Sequence, residues 1–228
     1  DLYYRNNVGG MIGLLAAICR AGPLPVVFSS SCATYGIPAT LPIREDTPQS
    51  PINPYGRTKL IGEQMLADHD AAFGLRHVAL RYFKAAGADP DGELVENHDP
   101  ETHLIPRALM AAAGMIPALE IFGDDYDTGD GTCERDYVHV TDLAHAHVLA
   151  LRHLGNGGAS LRANVGSGRA WSIRQVLDMV EKVTGRRVPC VIRPRRPGDP
   201  GVLVADAALA REALGFTTRH SELENIIA

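Results

Sequence analysis

Two hydrophobic periods alternate along this chain. Short runs rich in β-branched and aromatic residues occur as PVVFSSS (25–31), RHVALRYF (76–83), ALEIFG (118–123), YVHV (137–140), RANVG (162–166) and VPCVIR (188–193), and each reads as a strand. Stretches with helical spacing lie between them, the first being LYYRNNVGGMIGLLAAICR (2–20). Strand and helix in alternation predict βαβ units and a mainly parallel sheet. The helix starts carry their own signals. Asn53 reads as an N-cap with Pro54 at the first helical position, Thr141 or Asp142 as the cap before LAHAHVLAL, Ser172 before IRQVLDMVEKV and Asp206 before AALAREAL. Gly74, Gly185 and Gly215 are placed to close three of these helices. Residues 84–106, rich in Asp, Pro and Gly, and the acidic residues 123–134 read as long functional loops on the rim of a sheet.

Composition narrows the class. The 228 residues are 45% apolar and 21% charged, enough for a globular core in one or two domains. The formal net charge is -5, and the longest basic block is the Arg-Pro-Arg-Arg at 193–196, which argues against nucleic acid as a partner. No apolar run approaches the roughly 20 residues of a membrane span, and no secretion signal is present, so a cytoplasmic protein is expected. Cys19, Cys32, Cys133 and Cys190 are far apart and contain no C-x-x-C, so free thiols are expected. The chain begins at Asp1 and opens directly into helix, and a preceding segment of a longer polypeptide is expected.

The stretch NPYGRTK (53–59) carries candidate chemistry. In a helix starting at Pro54, Tyr55 and Lys59 stand at i and i+4 and share a face. A free phenol titrates near pH 10, so acting as a base near neutrality asks for about 4 kcal/mol of help. A nearby cation typically supplies part of that, and a second positive charge would supply the rest. Plain packing gives the same spacing. SSSCATYG (29–36) ends a strand in three hydroxyls, at the sheet edge where parallel α/β folds bind ligands, although such hydroxyls also bond their own loop backbone.

Taken together, a strand-end hydroxyl and a Tyr-x-x-x-Lys helix resemble the Ser/Tyr/Lys triad of the short-chain dehydrogenase/reductase superfamily. SSSCATYG, INPYGRTK, LRYF-x-AAGADPDGE, HDPETHLIP, IFGDDYDTGDGTCERDYVHVTDLAHAH and PRRPGD, in this order, resemble the UDP-glucose 4-epimerase family across nearly the whole chain. The resemblance implies an α/β fold: a Rossmann-type parallel sheet with helices on both faces, holding NAD, and a smaller mixed α/β domain for the UDP-sugar. Residues 1–83 would be the C-terminal part of the NAD-binding domain, and residues 84–228 mainly the UDP-sugar domain, with segments around 121–153 returning to the Rossmann sheet. The glycine-rich NAD-binding turn expected of the family is not among these residues.

The resemblance makes Tyr55 the base, Lys59 its electrostatic partner and cofactor ligand, and Ser31 the hydroxyl at the sugar's 4-oxygen. Asn6 and Phe83 match positions that touch NAD. His103, Leu104, Ile121 and Phe122 match nucleotide-sugar contacts, and Arg135, Tyr137, Arg196 and Asp199 match the surroundings of the diphosphate and uridine ribose. Lys84 stands where the family has asparagine; its charge either attracts the diphosphate or its length fills space meant for the sugar. The implied reaction interconverts UDP-galactose and UDP-glucose in a homodimer. The alternatives are an epimerase of UDP-N-acetylhexosamines or UDP-pentoses, with Leu203 beside the sugar, and a non-catalytic nucleotide-sugar-binding remnant. A dehydratase would need acidic partners that Ser30 and Ser31 do not provide. No metal ligands are assigned: His145 and His147 point about 200° apart on a helix, and residues 125–136 do not match a calcium loop.

Overall fold

The structure, a computed structural model, describes residues 1–22 and 24–228. A π-helical stretch, Tyr4–Gly9, runs straight into α1 (Gly10–Ala21). Then come β1 (Val26–Ser31), a 3-10 turn (Cys32–Thr34), α2 (Pro54–Phe73), β2 (His77–Tyr82), β3 (Lys84–Ala86) and α3 (Leu104–Ala112). The chain continues through β4 (Leu119–Phe122), β5 (Glu134–His139), α4 (Val140–Gly155), β6 (Leu161–Val165), β7 (Ala170–Ser172) and α5 (Ile173–Thr184). It closes with β8 (Cys190–Arg193), β9 (Val202–Leu203), α6 (Ala208–Leu214) and α7 (Leu223–Ile227). This is the expected α/β class, with parallel strands flanked by helices.

The strands fall into three groups. β1, β2 and β6 form a parallel sheet in that order, with Ser31 opposite Tyr82 and Tyr82 opposite Val165. β5 is the hub of the second sheet: parallel to β3 and β9, antiparallel to β7. β4 and β8 form a parallel pair of their own. β2 is buried over His77–Arg81, as a central parallel strand covered on both faces must be. Its Val78 and Leu80 meet Leu143, Ala146, Ala150 and Leu154, the inner stripe of α4, so α4 packs on the β1-β2-β6 sheet. A second core joins Ile105 and Ala108 of α3, Val176 and Val180 of α5, Ile226 of α7 and Leu119 of β4. Each fully buried Val, Leu or Ile of this kind contributes about 1.5–3 kcal/mol.

The helix punctuation follows the sequence with two corrections. Asn53 caps α2 by accepting from the Gly56 N–H at 2.8 Å, and Ser172 and Gln175 form a capping box on α5. Gly74, Gly185 and Gly215 end their helices in the left-handed conformation that favours glycine. α4, however, is capped by His139, whose Nδ1 accepts from Thr141 N–H, and not by Thr141 or Asp142. Asp142 is turned away to take the Arg219 and His220 N–H groups and the Ser221 hydroxyl, which fastens α4 to the C-terminal segment. The second correction is at α6, which starts after Ala207, one residue later than expected, with Asp206 accepting from Ala208 N–H. The expected loop 84–106 begins as β3 and runs into α3, because Lys84–Ala86 completes a ladder on Tyr137–His139.

Candidate functional site

The first part of the site is where β1 meets the N-terminus of α2. Ser31 ends β1, and its side chain accepts the Ala33 N–H at 3.2 Å, setting the tight 3-10 turn after the strand. α2 approaches this turn closely. A Cβ on Gly56 would lie 2.3 Å from the Ala33 carbonyl oxygen, so only glycine fits after Tyr55. Lys59 reaches across to β1 and donates from Nζ to the Ser29 carbonyl at 2.8 Å, with its ammonium 5.6 Å from the Tyr55 ring centre and 5.3 Å from that of Phe28. Tyr3 packs edge-on to Tyr55 at 6.0 Å, and Asn7 donates to Thr58 Oγ1 at 2.8 Å, so the π-helical stretch also rests on α2. Asn6 is exposed on that stretch.

The electrostatics differ from the simple expectation that Lys59 lowers the phenol. Burial pushes the Tyr55 pKa above its ordinary value, and the Ser31 hydroxyl pulls it back only in part. Lys59 is itself half-buried, and burial lowers its own pKa. One of its three N–H donors is used by the Ser29 carbonyl. Turning Tyr55 into a base therefore asks for a positive charge from outside this chain.

Beneath this edge lies a buried ionic network that sequence reading missed. Arg81 on β2 makes a two-point pair with Glu63 on α2, at 2.9 and 2.6 Å, and both side chains are at most 2% exposed. Ser30 donates to the same carboxylate at 2.5 Å, while Arg81 also donates to Tyr35 Oη, which donates to Asn164 on β6. Burial alone would raise the Glu63 pKa, but the Arg81 guanidinium and the Ser30 hydroxyl outweigh it and hold it low. α2, β1, β2 and β6 are thus locked together under Ser31 and Tyr55. His147 of α4 adds a contact to Ser29 Oγ at 3.0 Å, with its Nδ1 2.8 Å from the Leu143 carbonyl.

The second part of the site is a cavity of about 220 Å³. It is lined by Lys84, Leu104, Phe122, Arg135, Tyr137, Arg196 and Asp199, seven residues expected to contact one ligand. Arg135 is held by Asp199 at 2.5 Å, and the Arg196 guanidinium stacks 4.0 Å from the Phe122 ring centre. Arg107 and Glu120 complete the charged lining, and Glu120 is paired outward with Arg193. Four cations against two carboxylates leave the cavity positive. Burial first, then the charge of Arg135, lowers the Lys84 pKa, as like charges awaiting an anion do. Arg196 and Asp199 also line an adjoining cavity that reaches Cys32 and Ala33, directly after Ser31, and Asn53, the cap of α2. The two parts of the site are therefore neighbours, with Arg196 and Asp199 common to both cavity walls.

Three further residues expected at the site do not line this smaller cavity. Ile121 turns into the core and is 1% exposed, leaving the cavity wall to Phe122. Phe83 packs among Cys32, Tyr35, Ile43 and Ala205. His103 lines a larger cavity of about 650 Å³ with Lys84, Leu104 and Tyr137, and bonds Glu96 and Glu101.

A parallel sheet whose edge hydroxyl stands beside a Tyr-x-x-x-Lys helix defines the short-chain dehydrogenase/reductase class. Residues 1–166 match the NAD dependent epimerase/dehydratase family, and the chain belongs to that family. A UDP-glucose 4-epimerase of Azospirillum brasilense is 55% identical over 225 residues, 99% of this chain and 65% of the relative, so the chain spans just under two thirds of that protein's length. The crystal structure of a UDP-glucose 4-epimerase from Brucella ovis in complex with NAD is 62% identical, with a TM-score of 0.94 over 98% of this chain and 69% of that one. A UDP-glucose-4-epimerase from Stenotrophomonas maltophila, with bound NAD and formylated UDP-arabinopyranose, is 43% identical, with a TM-score of 0.93 over 99% of this chain and 68% of that one. Among the described residues no helix is long and apolar enough to cross a membrane.

Proposed function

We propose that this protein interconverts UDP-galactose and UDP-glucose through a 4-keto sugar. The observation that carries the reading is the positive cavity of Lys84, Arg135 and Arg196, which shares Arg196 and Asp199 with a neighbouring cavity lined by Cys32 and Asn53, the residues beside Ser31 and at the cap of the Tyr55 helix. A diphosphate suits that cavity, because guanidinium forks bind phosphate oxygens at two points and the Asp199 pair holds one fork in place. Lys84 takes the Coulomb reading: half-buried among arginines, it strengthens the hold on an anion.

The residues at the β1 edge fit a nicotinamide cofactor. Lys59 has one hydrogen-bond acceptor, Ser29 O, and two further N–H donors for a ribose. NAD held there would supply the hydride acceptor and donor at the sugar's C4 and the positive charge that the Tyr55 phenol needs. Tyr55 Oη accepts the proton of the 4-hydroxyl, directly or through Ser31 Oγ, and gives it back on the return. Arg135, Arg196 and Lys84 keep the diphosphate while the keto sugar turns about its bond to it and presents the other face. On this reading residues 1–83 serve mainly the cofactor and residues 84–228 mainly the UDP-sugar, in the cytoplasm. Exposed Leu2, Ile12 and Leu14 support a homodimer through the first helix.

Proton NMR of UDP-galactose incubated with the purified protein tests the proposal. Build-up of UDP-glucose is expected, while tight UDP binding without conversion would leave a binding protein only. A second reading, turnover of a UDP-pentose, is favoured by the arabinopyranose ligand of the Stenotrophomonas relative. Leu203, opposite Arg135 on β9 and lining the adjoining cavity, would set the preference.

A further inference from the structure

Residues 96–103 read Glu-Asn-His-Asp-Pro-Glu-Thr-His, and the structure folds four of these side chains onto one point. One ligand atom from each of Glu96, His98, Glu101 and His103 lies within 4.8 Å of every other. His103 Nδ1 is 2.6 Å from Glu96 Oε1 and 2.9 Å from Glu101 Oε1; His98 Nδ1 is 3.0 Å from Glu96 Oε1 and 3.9 Å from Glu101 Oε2. Ligands about 2.0–2.1 Å from a tetrahedral zinc ion stand about 3.3 Å apart, and the observed separations straddle that value.

Hydrogen bonding within the group accounts for only part of the convergence: one Nδ1–H on His103 can bond Glu101 at 2.9 Å or Glu96 at 2.6 Å, not both. Each imidazole Nδ1 carries at most one hydrogen, yet each faces two carboxylates. Oε1 of Glu101 is already engaged by the Thr102 and His103 N–H groups at 2.6 and 2.7 Å, which fixes its carboxylate with Oε2 toward His98. Such outer bonds orient metal ligands. A central divalent cation satisfies both nitrogens and both carboxylates at once.

We propose that Glu96, His98, Glu101 and His103 form a divalent-cation site, suited to zinc, that fastens the loop before α3 at the rim of the larger cavity. Two imidazoles and two carboxylates fill four positions, so the site is closed and holds the loop rather than activating water. Glu96 and His103 also line that cavity, so the cation fixes part of its wall and offsets two negative charges beside it. The sequence signal was present as E-x-H-x-x-E-x-H, but its spacing belongs to a loop and follows neither helical nor strand period.

Zinc titration of the chelator-treated full protein by calorimetry tests this. The exposed thiol of Cys190 is removed by Cys190→Ser in every sample, since it competes for zinc. One saturable equivalent is expected, weakened at least about 100-fold by His98→Ala and by Glu96→Gln, with cobalt giving four-coordinate visible bands only in the parent. His98 is largely exposed, so its variant keeps the fold, which circular dichroism checks. Absence of saturable binding in the parent, or equal affinity in the variants, overturns the site.

Discussion

Two charged regions of this molecule are built in opposite ways. Under Ser31 and Tyr55, the Glu63–Arg81 pair is buried, complete and balanced, with Ser30, Gln49 and Tyr35 using its remaining bonding positions. The small cavity is lined by Lys84, Arg107, Arg135 and Arg196 against two carboxylates, Asp199 and Glu120, and the Lys84 pKa is already depressed by burial and by Arg135. The balanced region holds geometry and asks nothing of a ligand. The unbalanced one is eased when an anion arrives. Folding stability should therefore reside in the first region and substrate affinity in the second, with chemistry at the edge the first supports.

The largest effect is expected from Tyr55→Phe, which keeps the ring against Tyr3 and removes the proton acceptor: UDP-galactose turnover should fall about 10²–10⁴-fold. Next comes Glu63→Ala, which strands a buried guanidinium and should cost about 3–5 kcal/mol in denaturant unfolding. The pH sign follows from the depressed Glu63 pKa. The contribution is present above the ordinary carboxylate range and is lost as pH falls through the lower folded-state value, so Glu63→Gln should flatten the acid limb of the stability profile. Arg135→Ala removes charge-assisted bonds worth about 1.5–3 kcal/mol and should weaken UDP about 10- to 100-fold by calorimetry, with little change in thermal midpoint. Lys84→Asn is the smallest, about 1 kcal/mol or roughly fivefold in UDP affinity, with a shallower dependence on salt. An unchanged affinity would mean that Lys84 only fills space.

The same contrast explains what could be read in advance. Both ends of α2 are legible because Asn53, Pro54 and Gly74 act within one turn of their own positions, and β1 and β2 because each holds a continuous apolar run. β7 and β9 were not: three and two residues long, they exist only because β5 lies between them. The cap on α4 was misread since Asp142 is claimed by residues 219–221, a contact no local pattern announces. Glu63 and Arg81 gave no signal because one stands on a helix and the other on a strand, 18 residues apart. The cavity residues were legible only through resemblance, being scattered from Lys84 to Asp199 with no period among them. That Lys59 bonds Ser29, and that burial raises the phenol, needed the three-dimensional arrangement.

The division between a chemical edge and a binding cavity is tested most directly by the UDP dissociation constant of Tyr55→Phe, measured by calorimetry on the preparation whose turnover is assayed. Turnover is expected to collapse while UDP affinity stays within about twofold, ~0.4 kcal/mol. A dissociation constant that rises in step with the loss of turnover would contradict it.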